Sequence, residues 1–247
     1  MAGAVALAPS AGLSQIPPDP DELRAYTGLH GAAARGDADD IRRLLAARAD
    51  PEARDARGRS PLHIAAFGAQ ADAMRALVAG GADPNALEAQ RYDIVTIAAV
   101  RDDVATLELA LALGTRPGNV TSPYDGTALI AAAHLGHVDV VRVLIDAGAP
   151  LDHVNNLGWT ALLEAVILGD GGPRHVAVLR MLVAAGAAVD LADRQGRTPL
   201  DHARARGYAE MIAILESAPR RRAARALAKP ASAAQAPGRA SPSRSIR

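Results

Sequence analysis

The sequence predicts an all-α repeat solenoid, a curved stack of about six copies of one two-helix unit. Three observations carry this. Leu29, Leu62, Val95, Leu129, Leu162 and Leu200 hold equivalent positions at intervals of 33, 33, 34, 33 and 38 residues, and self-similarity at such a period marks stacked supersecondary units. Each copy has small residues and an apolar stripe on either side of a Gly or polar break, as in Ala32-Ala33 followed by Ile41, Leu44 and Leu45, which is the pattern of two short helices. The composition agrees: 49% of the 247 residues are apolar but only 2% are aromatic, so the core is built mainly from Ala, Leu and Val in closely packed helices.

In chain order, residues 1–20 form an Ala/Pro-rich leader. Its opening MAGAVALAP is like the hydrophobic part of a secretory signal, yet no Lys or Arg precedes Arg24, and a working signal needs a positive start. The leader is therefore expected to be disordered and the protein cytoplasmic. A periplasmic or secreted location is the alternative, if the true start lies upstream of Met1. Residues 21–217 form the repeat domain. Ser60-Pro61 and Thr198-Pro199 set a hydroxyl N-cap before a proline at the first helical position, where the missing N–H costs nothing. Second helices end at Gly81, Gly114, Gly148 and Gly186, where glycine adopts the left-handed conformation that closes a helix, and polar hairpin segments such as APLDHVNNLG lead on to the next copy. Residues 218–247 form a basic tail, also expected to be disordered. The formally neutral chain thus divides into a body acidic by eight and a tail basic by eight, an asymmetry compatible with an interaction tail, although a solvated tail is the commoner case. No apolar run approaches the roughly 18 residues of a membrane span.

The segments GRSPLHIAAFG, MRALVAGGADPNA and GRTPLDHARARGYAEMIAIL resemble ankyrin repeats, and the resemblance covers about residues 21–217. It is greatest to compact bacterial ankyrin-repeat proteins, some of which are exported. It implies units of a β-hairpin plus two antiparallel helices, and a concave partner-binding surface made by hairpin tips and first helices. Counted from the leucine anchors, Arg57, Arg59, Tyr92, Tyr124, Trp159 and Arg197 fall on the hairpins of that face, and Phe67 and His134 on its helices. Aromatic and Arg side chains dominate protein–protein hot spots. These eight are expected to contact a protein partner, the chain being a monomeric, non-catalytic scaffold. Local packing of Tyr92, Tyr124 and Trp159 against neighbouring hairpins is the plainer alternative.

His30 and His63 stand in the family's TPLH slot and His137 in its Gly-His slot, where the resemblance implies structural roles. His134, His153, His175 and His202 lie in different copies at no ligand spacing and with no carboxylate arranged to orient them, so no metal or cofactor is expected. The chain has no cysteine, which removes disulfides, thiolate sites and cysteine nucleophiles. It has no GxSxG elbow, and GDGG lacks the Lys-Ser/Thr end of a phosphate loop. An enzyme is not expected. Two alternatives stand beside the scaffold. One is an exported accessory or protective protein using the inserted loop Gly169 to His175 of the fifth copy, which is five residues longer than most of the others and carries this loop between its helices. The other is weak, salt-sensitive binding of an anionic surface through the tail, with no specific nucleic acid. The third copy departs from the pattern: Ile94 replaces the capping proline, Thr96 the structural histidine and RDD the glycine-histidine break. It is predicted to be the weakest unit and a hinge, the alternative being that Ile94 and Val95 pack into the neighbouring copies and compensate.

Overall fold

The computed structural model describes residues 15–219; the leader up to residue 14 and the tail from residue 220 lie outside the described residues. After a short helix α1 (Pro20–Ala25), six helix pairs follow: α2 (Gly28–Arg35) with α3 (Ala38–Ala46), α4 (Pro61–Phe67) with α5 (Ala71–Ala79), and α6 (Ile94–Val100) with α7 (Val104–Ala112). The last three are α8 (Ala128–Leu135) with α9 (Val138–Asp146), α10 (Ala161–Ile167) with α11 (Pro173–Ala184), and α12 (Pro199–Arg206) with α13 (Ala209–Ser217). First helices pack on first helices and second on second, giving two layers. Ala32, Ala33, Ala65, Ala66, Ala98, Ala99, Ala132 and Ala133 are all fully buried, because only a methyl group fits where two helices lie this close. One continuous apolar cluster runs from Leu29 to Leu215. Among consecutive outer helices, α5 and α7 make the loosest pair. Among the described residues no helix is long and apolar enough to cross a membrane.

The hairpins are turns rather than strands; among the described residues the single β-bridge joins Thr121 and Gly126. Four of the hairpins, too short for a ladder, are closed by a bond from Asp55 N to Arg59 O, Glu88 N to Tyr92 O, Asn155 N to Trp159 O and Asp193 N to Arg197 O, with a turn bond back to the first residue from Gly58, Arg91, Gly158 and Gly196 N. The Oδ1 atoms of Asp55, Asn155 and Asp193 accept further N–H groups inside their own turns, the habit that places Asp and Asn at turns. Consecutive hairpins are tied through the backbone, Ala89 N to Arg57 O, Ser122 N to Arg91 O and Asn156 N to Tyr124 O. The TPLH histidines reach the next hairpin: His30 Nε2 donates to the Arg59 carbonyl at 2.9 Å, and His63 Nε2 to the Ala86 and Tyr92 carbonyls at 3.1 and 3.2 Å. Burial pulls the His63 imidazole down to about 4, so it stays neutral.

Two local expectations change. In the third copy Asp93 caps α6 by accepting the Thr96 N–H at 2.8 Å, and Ile94 and Val95 are buried. Thr96 Oγ1 meets Thr121 Oγ1 at 2.9 Å, so a hydroxyl pair makes the reach that histidine makes elsewhere. In the fifth copy the insertion is only partly a loop. Helix α11 has 12 residues where the other second helices have 9, because Pro173 at its first position starts the helix early.

Candidate protein-binding face

Three of the residues expected to be exposed contacts are buried. Arg59, 1% exposed, turns inward because its donors are consumed there: Nε donates to Asp55 Oδ2 at 2.7 Å, Nη2 to Tyr26 Oη at 2.8 Å and to Glu22 Oε2 at 3.0 Å, and Nη1 to the Ile16 carbonyl at 3.2 Å. Burial alone would raise the Asp55 carboxyl, but hydrogen bonds from Tyr26 and Arg59 bring it to about 2. The Arg57 hydrogen bond does most to hold Glu22 at about 2. Tyr92, 2% exposed, and Phe67 both enter the core cluster. In a core otherwise made of Ala and larger aliphatic side chains, their rings fill volume that the alanines leave. Burial pushes the Tyr92 phenol up to about 12.

The remaining residues stay on the surface. Arg57 is exposed and paired with Glu22 at 2.9 Å, and Arg197 is exposed on the sixth hairpin. Tyr124, His134 and Trp159 are half-buried. Around Tyr124 and Trp159 the structure adds two residues that the leucine-anchored count missed: Val154, 50% exposed, and Leu157, 39% exposed. Leu157 stands five residues before its anchor, as Tyr124 and Arg57 do before theirs, and an apolar residue at the tip of an otherwise polar hairpin was the available signal. Two bonds join the tips, Asn156 N donating to the Tyr124 carbonyl at 2.8 Å and Asn156 Nδ2 to the Pro123 carbonyl at 3.1 Å, and within the later hairpin Asn155 Oδ1 accepts the Trp159 N–H at 2.9 Å.

Beside this patch, His134 does have a carboxylate partner, contrary to the sequence reading. Its Nδ1 lies 3.5 Å from Glu164 Oε2, bringing α8 and α10 together. Glu164 Oε1 accepts from Asn155 Nδ2 at 2.8 Å, while Oε2 is buried without a hydrogen-bond partner. Burial pushes the Glu164 carboxyl up to about 7 and, with the His175 charge, pulls the His134 imidazole down. A carboxyl near neutrality beside an imidazole is a pairing seen in acid–base chemistry, but here the carboxyl is closed off from solvent.

The insertion braces copies together. His175 Nε2 lies 2.9 Å from the His134 carbonyl and Nδ1 2.9 Å from Asp170 Oδ1. Arg174 Nε donates to the Gly136 carbonyl at 3.0 Å and Nη2 to Asp102 at 3.1 Å. The same habit recurs at other breaks, with His137 on Ala99, Arg206 on Ile167 and Tyr208 on Gly169. Among the described residues no group of three or more His, Asp or Glu is placed to hold a metal ion.

Comparison with known proteins agrees with this architecture. The ankyrin repeats family model matches three times, over residues 13–88, 29–112 and 95–193. The putative ankyrin repeat protein YahD of Escherichia coli is 32% identical over 121 residues, 48% of this chain; the match spans only 59% of that relative. An ankyrin repeat domain from Acinetobacter baumannii is 42% identical with a TM-score of 0.70, covering 76% of this chain and 95% of its own. The ankyrin repeat protein EF0377 is 30% identical with a TM-score of 0.72, covering 79% and 100%. From repeat period, two-layer stack and these matches, the chain belongs to the ankyrin-repeat family, whose members serve in general as protein–protein interaction modules.

Proposed function

We propose that this protein is a non-catalytic scaffold that holds a protein partner on the face made by its hairpin tips and first helices. Tyr124, Val154, Leu157 and Trp159 form the anchoring patch, His134 borders it, and Arg57 and Arg197 supply charge on flanking copies. The observation that carries this reading is the exposure of Val154 and Leu157 on the hairpin that holds the half-buried Trp159, with the half-buried Tyr124 on the adjoining hairpin bonded to it. Hydrogen bonds already fix these tips, so a partner that covers them gains apolar area with little loss of conformational freedom. Partner capture by cross-linking, with a Tyr124→Ser, Leu157→Ser, Trp159→Ala variant beside the wild type, tests it. The variant is expected to lose about tenfold or more in capture, as clustered hot spots do, while circular dichroism shows the helices intact. Undiminished capture by the folded variant removes the patch as the anchor.

A further inference from the structure

Residues 15–19 precede the repeat stack in sequence but reach across it. Gln15 Nε2 donates to the carbonyl of Thr96 on α6 at 2.9 Å, a bond between residues 81 apart in sequence. One residue on, the Ile16 carbonyl accepts from Arg59 Nη1 on the second hairpin. Asp19 then caps α1 with a full capping box, and Pro20 opens it. The chain therefore crosses from the third copy to the first along the corner where hairpins meet first helices.

Two details show that this crossing is docked and weakly held. The Arg59 guanidinium is buried, its Nε and Nη2 are spoken for by Asp55, Tyr26 and Glu22, and the Ile16 carbonyl supplies the acceptor for Nη1. The bond completes a donor set that is costly to leave open. Against it, Gln15 Oε1 is buried without a partner, a cost the docked state carries and the released state does not. Pro17 and Pro18 hold the chain extended beforehand, so docking loses little entropy.

We propose that the strip made by the Arg59 guanidinium edge and the Thr96 carbonyl is a recognition site for an extended, proline-containing segment. Residues 15–19 occupy it in cis as a displaceable strap. A partner spanning the face from Arg57 to Arg197 must lift the strap to bind. This consequence rests on the partner-binding reading above; the docking itself does not. A strap closed nine-tenths of the time weakens apparent affinity about tenfold.

The test has two arms on the full chain. In the first, nuclear magnetic resonance of the wild type is expected to show Gln15 side-chain amide protons close to α6 and an Ile16 backbone as rigid as α2; averaged signals without such proximity overturn the strap. In the second, residues 15–18 are replaced (Gln15→Gly, Ile16→Ser, Pro17→Gly, Pro18→Ser) and capture of the same cross-linked partner is compared. Capture about tenfold stronger than wild type supports the gate, and equal capture overturns it. Capture by neither protein sinks the partner-binding reading and the gate with it, while the first arm still decides whether the strap docks.

Discussion

Glu164 is an ionisable residue that the fold holds near its neutral form. Burial pushes its carboxyl up to about 7 in the folded chain against 4.5 for an ordinary glutamate, while burial pulls the neighbouring His134 imidazole down. A raised carboxyl pKa means that the folded state binds the extra proton between those values. Its contribution is therefore fully present below about pH 4.5 and is lost as pH rises through about 7, by an amount on the order of 3 kcal/mol. Glu164→Gln keeps an acceptor for Asn155 and removes the titration. Denaturant midpoints from pH 5 to 8 should fall in the wild type relative to the Gln variant, and parallel profiles would contradict the assignment. His63 works in the opposite direction. Its pKa is depressed to about 4, so the unfolded chain binds more protons below pH 6.5, and both proteins should lose stability between about pH 6.5 and 4.

At the scale of elements, the start of α6 shows how a pattern can be legible and still misread. The absent proline at Ile94 drew attention away from Asp93, which is itself a preferred N-cap residue and takes both the Thr96 N–H and the Asn119 amide, each within 2.9 Å. The two oxygens of Asp93 each take one donor, so an amide at this position keeps the cap on Thr96 and forfeits the Asn119 bond. Asp93→Ala is expected to cost about 2 kcal/mol or more, by loss of the cap and of a buried acceptor, and Asp93→Asn less. Equal losses in urea unfolding would show that the Asn119 bond matters and the cap does not. Elsewhere the period, the caps and the glycine stops were plain from Leu29 to Leu200, because they depend on residues within one copy. Contacts between copies were hidden. The inward turn of Arg59 depends on Glu22 and Tyr26, and the His134 to Glu164 approach spans 30 residues; no local spacing reports either. The extra turn of α11 was hidden too, since GDGG reads as loop until Pro173 is recognised as a helix start.

Across the whole molecule the repeats hold one another, so stability is close to a sum of unit and interface terms, and opening starts at the weakest interface. The sequence pointed to the third copy as a hinge. Its inner helix α6 is capped, with Ile94 and Val95 buried, and the looseness lies at its outer helix α7, where that copy meets α5 of the second. Amide hydrogen exchange should then open residues 104–112 ahead of residues 94–100 and 138–146, and protection in 104–112 equal to that in 138–146 would rule the seam out. The bonds at the breaks have a different consequence, one of inheritance. Arg174 and His175 are matched to carbonyls of the fourth copy, and Arg206 and Tyr208 to carbonyls of the fifth. Duplicating or excising a single copy would set these side chains against a neighbour whose chain ends elsewhere, so recombination that preserves the array has to move adjoining copies as a block.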